Sequence, residues 1–136
     1  MEIGPADAAM LDQLLEISGH TEDLEHRDFV QQHLRVSNVS VAKAGTEPVG
    51  YVIADVSFFG RWFVHSLYVA ATDRRRGVAT RLLDSVSKSA QGIRVFTSTN
   101  LSNAPMHALL TKDHWSFAGV VGGLDEADPE VFYFKG

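Results

Sequence analysis

The sequence predicts a mixed α/β domain with elements in the order β-α-α-β-β-β-α-β-α-β-β, and three observations predict it. Apolar residues near the N-terminus recur at helical spacing. The middle of the chain then turns to β-branched and aromatic runs divided by tight-turn signals. After them a basic, glycine-containing loop opens a further helix, and strand and helix alternate again. The chain has 136 residues, 45% apolar and 21% charged, the composition of one soluble domain spanning 1–136. A chain of this length buries roughly two-thirds of the surface that its unfolded form exposes, enough to fold without staples. Cysteine is absent. That excludes disulfide scaffolds, thiolate metal sites and cysteine nucleophiles, and it points to a reducing, cytoplasmic setting.

A short first strand is expected around residues 2–4. Met10, Leu11, Leu14, Leu15 and Ile17 follow an Asp7 cap and mark an amphipathic helix. A second helix is expected after a Thr21 cap, with Glu22 and Asp23 at its positive end, Leu24, Phe29, Val30 and Leu34 as apolar positions, and an end near Ser37. SVAKA, VGYVIADVSF and WFVHSLYVA read as an antiparallel meander, turning at residues 45–48 and at Phe59-Gly60-Arg61. Val78, Ala79, Leu82, Leu83 and Val86 form the stripe of a third helix starting near Gly77. IRVFTST then reads as a strand and NAPMHALLTKDH as a helix with Pro105 in its first turn. WSFAGVV and EVFYF read as two closing strands.

Charge is segregated. Residues 1–28 carry Glu2, Asp7, Asp12, Glu16, Glu22, Asp23, Glu25 and Asp28 against Arg27, whereas residues 74–94 carry Arg74, Arg75, Arg76, Arg81, Lys88 and Arg94 against Asp84. The net charge of −5, and a basic stretch that is short and lacks interleaved aromatics, argue against nucleic acid as a partner. The N-terminal segment has acids where a leader is basic and no long apolar run, so neither export nor a membrane is expected.

Chemistry concentrates in HSLYVAATDRRRGVATRLLDSV, a strand running through a basic loop into a helix. Backbone N–H groups at a helix N-terminus, with the positive end of its dipole, cradle an anion such as phosphate. Gly77 and Ala79 let a ligand approach that backbone, and Arg74, Arg75 and Arg76 add charge. His26 and His33 are seven apart, as are His107 and His114. About 10.5 Å of helical rise is too far for one ion, so no metal site is expected and these histidines read as surface residues. H-E-x-x-H, G-x-x-x-x-G-K-[ST] and G-x-S-x-G are absent, which removes the commonest zincin, P-loop and hydrolase readings.

Arg74-x-x-Gly77-x-Ala79, followed by Asn103-x-x-Met106-x-x-Leu109, resembles the GNAT superfamily of N-acetyltransferases over nearly the whole chain. The pyrophosphate loop of that family reads Gln/Arg-x-x-Gly-x-Gly/Ala. The resemblance implies a central mixed, mostly antiparallel sheet flanked by four helices. Its strands at 62–70 and 93–99 would splay apart, with the pantetheine arm of acetyl-CoA in the gap. It further implies that Leu67, Tyr68 and Val69 pair with that arm through their backbone. Arg74, Arg75, Arg76, Gly77, Val78, Ala79 and Thr80 would hold the pyrophosphate, Asn103 would meet the arm or the adenosine side, and Met106 and Leu110 would pack near the thioester. Asn103 also reads as a helix cap, and Met106 and Leu110 as core residues. A homodimer is expected on the same grounds.

Amide formation from a thioester needs a neutral amine, whereas an amine with a lysine-like pKa near ~10.4 is almost wholly protonated at neutral pH. His65 matches a histidine of the arylalkylamine branch of the family and is the candidate general base, since imidazole ordinarily titrates near ~6.5. A satisfied strand histidine is the alternative. The Val69 N–H is the candidate for polarising the thioester carbonyl. The acidic tyrosine common in the family aligns with Leu110 here, and His107 and Tyr133 are conceivable substitutes. The expected activity is direct acetyl transfer from acetyl-CoA to a primary amine of a small molecule or peptide. The alternative is a non-catalytic acyl-CoA-binding sensor. The acidic connection SGHTEDLEHRD favours a cationic acceptor. Phe58, Phe59, Trp62 and Phe63 would flank an aromatic one or serve hairpin and dimer packing.

Overall fold

A computed structural model describes residues 1–136. Its strands are β1 (Glu2–Pro5), β2 (Val39–Ala44), β3 (Glu47–Phe58), β4 (Arg61–Val69), β5 (Val95–Asn100), β6 (Ser116–Val121) and β7 (Glu130–Lys135). Its helices are α1 (Leu11–Ser18), α2 (Leu24–Arg35), α3 (Val78–Ser89) and α4 (Ala104–Lys112). The strands pair in the order β1-β2-β3-β4-β5-β7-β6 as a mixed sheet of seven, the expected architecture with its four helices. No helix is long and apolar enough to cross a membrane. The chain divides into two compact units, Met1–Ala54 with Ser66–Val86, and Asp55–His65 with Ser87–Gly136.

In the first unit β1 and β3 flank β2, both antiparallel to it. The run Val49 to Ala54 is buried throughout, as expected of a strand covered on both faces. Tyr51 and Ile53 join Leu11, Leu14, Leu15, Val30, Leu34, Val39 and Val41 in the core under α1 and α2. Gly50 belongs to the opposite face. A Cβ there would sit 3.0 Å from the Tyr68 carbonyl oxygen, 3.1 Å from Val78 and 3.2 Å from Leu82, so the missing side chain is what lets α3 pack this closely.

The start of α2 differs from expectation. Asp23, not Thr21, is its cap, accepting from the His26 N–H at 3.0 Å. The reason lies upstream: α1 ends on Gly19 in the left-handed region, with the His20 N–H returning to the Leu15 carbonyl at 3.1 Å. That closure consumes residues 19–22 as a turn. Leu24 is consequently 79% exposed rather than a core position, and α2 stops at Arg35, before Ser37 with φ 60°.

In the second unit β4 and β5 pair in parallel from Trp62↔Val95 to Val64↔Thr97. Past that pair β4 runs on to Val69 and β5 to Asn100, outside the parallel ladder. The Thr97 hydroxyl donates to the Val64 carbonyl at 3.0 Å where the ladder stops. β7 is antiparallel to both β5 and β6. Val95, Thr97 and Thr99 are buried alternately along β5. They share a face with α4, whose cap Asn103 donates to the Thr99 hydroxyl at 2.9 Å. β5 begins at Val95, leaving Ile93 exposed, and Trp115 is buried just ahead of β6.

Candidate functional site

The basic loop takes the form that the sequence predicts. After β4, a single 3-10 turn (Ala71–Asp73) leads through residues 74–77 into α3. Arg75 (φ 66°) and Gly77 (φ 75°) both lie in the left-handed region, which turns the backbone so that α3 begins at once. Nothing lies within 4 Å of where a Gly77 Cβ would stand, so this position needs glycine for its backbone angle and keeps open space beside it. The first N–H groups of α3, at Val78, Ala79 and Thr80, have no partner within the helix and are available to an anion.

The three arginines are not equivalent. Arg74 folds back, its Nε donating to the Val69 carbonyl at 3.2 Å. Arg76 pairs with Asp73 at 3.3 Å. Arg75 is the exposed, uncommitted guanidinium of the loop. The Tyr68 side chain leaves the loop altogether and joins a cluster with α1 and α2 residues.

In that cluster the His20 and His26 rings lie 4.4 Å apart, each 5.8 Å from the Tyr68 ring. His26 Nε2 and the Tyr51 hydroxyl are 3.1 Å apart, and His20 Nδ1 faces Asp23 at 3.7 Å. Burial, then the neighbouring His20, pushes the His26 pKa below the usual imidazole value, against a smaller opposing pull from Asp23. Burial raises the Tyr51 and Tyr68 pKa values. His26 is thus a half-buried, hydrogen-bonded residue rather than the surface histidine expected. His33, bonded to Asn38 at 3.0 Å, and His107 are others, whereas His114 is exposed.

Stability should follow these shifts. Below the ordinary imidazole value of ~6.5 the unfolded chain takes up a proton that folded His26 resists, so stability is complete above that pH and falls as the pH drops through the folded value. Above ~10 the unfolded tyrosines ionise before folded Tyr51 and Tyr68 do, so stability falls there too. Urea midpoints measured from pH 4 to 11 check both limbs, and His26→Gln should flatten the acid one.

The candidate base is held by two partners that sequence reading did not identify. His65 Nε2 lies 2.7 Å from Asp55 Oδ1 and 3.1 Å from the Ser57 hydroxyl, and Ser57 also bonds to Asp55. A carboxylate only accepts, so Asp55 draws the ring proton to Nε2. The signal in the sequence was the Phe59-Gly60 turn. Both residues have positive φ, 52° and 74°, as a two-residue hairpin requires, and Asp55 and His65 stand about equally far from it.

On α4, Asn103 caps the helix by accepting from the Met106 N–H at 3.3 Å. Leu110 is fully buried in the core and Met106 partly buried. His107 and Tyr133 come together: the Tyr133 hydroxyl is 2.7 Å from His107 Nδ1, and His107 Nε2 donates to the Asn100 carbonyl at 3.0 Å. No group of three or more histidines and acids is placed to hold a metal ion.

The model of the acetyltransferase (GNAT) family matches residues 8–114. No curated protein matches the sequence. Among solved structures, an acetyltransferase of the GNAT family from Bacillus cereus ATCC 10987 is similar at 26% identity and TM-score 0.89, over 98% of this chain and 95% of that one. An aminoglycoside 6'-N-acetyltransferase complexed with coenzyme A is similar at 19% identity and TM-score 0.80, over 99% and 96%. A ribosomal-protein-alanine N-acetyltransferase from Brucella melitensis is similar at 23% identity and TM-score 0.77, over 99% of each chain.

Proposed function

Because the chain belongs to the acetyltransferase (GNAT) family, we propose that it is a single-domain N-acetyltransferase that moves the acetyl group of acetyl-CoA directly onto a primary amine. The observation that carries this reading is His65, whose Nε2 lies 2.7 Å from Asp55 Oδ1. An imidazole so held is oriented to accept a proton. The chain has no cysteine, which favours direct attack over a thiol-bound acyl-enzyme.

In this reading Arg75, Arg76 and the N–H groups of residues 77–80 bind the pyrophosphate of CoA. Arg74 braces the loop through the Val69 carbonyl. The backbones of Leu67, Tyr68 and Val69 hold the pantetheine arm, with Asn103, Met106 and Leu110 as its further neighbours. His65 takes one proton of the acceptor ammonium. The neutral amine nitrogen then bonds to the acetyl carbon to give a tetrahedral intermediate, whose collapse breaks the C–S bond; the electron pair leaves with the CoA sulfur, and the second nitrogen proton passes to that thiolate or to solvent, leaving a neutral amide. The Val69 N–H stabilises the oxygen of the tetrahedral intermediate. Leu110, where the family pattern carries tyrosine, offers no proton. A thiol with ordinary pKa near ~8.5 leaves acceptably as the anion. The reading extends to a homodimer acting in the cytoplasm on a small-molecule or peptide amine, with no metal, nucleic acid or membrane taking part.

The buried, apolar Leu110 is the observation that favours the second reading, an acyl-CoA-binding sensor without turnover. Free thiol released from acetyl-CoA, measured against a panel of amines alongside calorimetric CoA binding, separates the two. Amine-dependent release establishes the transferase. Binding without release establishes the sensor.

A further inference from the structure

The second unit carries an aromatic face on the side of its strands turned away from α4. Phe58 is its centre, with ring centroids 4.9 Å from Phe63, 5.3 Å from Phe96 and 5.6 Å from Phe132, the last nearly parallel at 18°. All four rings are only partly buried. Phe96 and Phe132 alternate with Thr97 and Tyr133, which share the face of α4, so their side chains must stand on the opposite side.

Charge on this face is polarised. At one end Phe63 lies 5.1 Å from the His65 ring, which Asp55 holds. Glu130, on the same side of β7 as Phe132, accepts from the Ser98 hydroxyl at 2.7 Å. His65 and Ser98 are each one residue past the last parallel pair, Val64↔Thr97. Two carboxylates therefore border that end. At the other end the Arg94 guanidinium lies 4.2 Å over the Phe134 ring.

We propose that this face receives the acceptor, and that the acceptor is a small amine carrying an aromatic body. The body lies on Phe63, Phe96 and Phe132, and Glu130 with Asp55 draws the ammonium toward His65. Flat rings give an aromatic body contact that a polyamine or a short alkylamine cannot use, while the carboxylates match the charge of the ammonium. The inference rests on the transferase reading and gives the acceptor site to the Phe58 cluster rather than to the acidic α1–α2 connection.

The test is kcat/KM for acetyl-CoA-dependent acetylation of 2-phenylethylamine and tyramine against n-propylamine, spermidine and an alanine-ended tetrapeptide. Burying a phenyl ring supports a preference of about 10- to 100-fold for the aromatic amines. Phe132→Ala should erase most of that preference by raising KM for the aromatic amines more than for n-propylamine. Glu130→Gln should raise KM for every cationic amine, more at low salt than at high. The wild-type rank order needs no variant, so a misfolded Phe132→Ala leaves the test intact. Propylamine, spermidine or the peptide matching the aromatic amines overturns the proposal and leaves the transferase standing. Absence of transfer to any amine overturns both.

Discussion

Replacing His65 by alanine is expected to lower kcat on the order of 10²- to 10⁴-fold at neutral pH and to leave CoA affinity unchanged. Proton removal from the ammonium is the step that a catalyst most needs to supply there, and His65 is the group proposed to supply it. Asp55 does the positioning: its carboxylate, 2.7 Å from Nε2, holds the ring in place. Losing one charge-assisted hydrogen bond costs about 1.5–3 kcal/mol, so Asp55→Asn should lose roughly 10- to 100-fold in kcat. The pH profile separates chemistry from architecture. As pH approaches the amine's own pKa near ~10.4, the acceptor is already neutral, and the His65→Ala defect should shrink toward wild type. Steady-state rates from pH 6 to 10, with calorimetric CoA binding for each variant, measure both. An equal loss of CoA affinity, or a defect independent of pH, would remove His65 from the role of base.

The fold was legible because its elements carry their own periodicity. The helical stripe after Gly77, the strand run VGYVIA and the Phe59-Gly60 turn each specify local structure by short-range sterics and burial, which a single sequence displays. The start of α2 was less legible, because Thr21 and Asp23 are both good caps. The choice between them was made by the left-handed closure at Gly19, a feature of the preceding helix. The form of the basic loop was legible for the same local reason as the helices: its arginines, glycine and helix start are contiguous. What the sequence did not display was partnership across strands. Asp55 beside His65, Tyr133 beside His107 and Glu130 beside Ser98 are separated along the chain and meet only through strand and helix pairing. The histidines taken for surface residues show the same limit. Seven-residue spacing bears on whether two histidines share an ion, but it carried no information on His26 meeting Tyr51 or His33 meeting Asn38.

Gly77→Glu should reduce CoA affinity by more than about 100-fold while the protein stays folded. Position 77 sits at φ 75°, where a side chain costs about 1–2 kcal/mol. No atom lies within 4 Å of the new Cβ, so strain is not compounded by collision. A carboxylate at the N-terminus of α3 also interacts favourably with the helix dipole, by about 0.3–1 kcal/mol, which offsets part of that cost. The fold therefore loses little, and the change falls on the ligand. A negative charge stands where the pyrophosphate must approach, and charge-assisted hydrogen bonds of about 1.5–3 kcal/mol each are lost with it. Gly77→Ala carries the same backbone strain without the charge and serves as the control, with a thermal midpoint close to that of Gly77→Glu. Arg75→Glu reverses the loop's uncommitted guanidinium and should weaken binding comparably, with no backbone change beyond its existing φ of 66°. In wild type the affinity should weaken with added salt, as expected for an exposed ionic contact, and that slope should flatten in Arg75→Glu. Calorimetric titration with CoA at two salt concentrations, paired with thermal unfolding, reads all of these. If Gly77→Glu binds CoA like wild type, the loop at residues 74–80 does not hold the pyrophosphate.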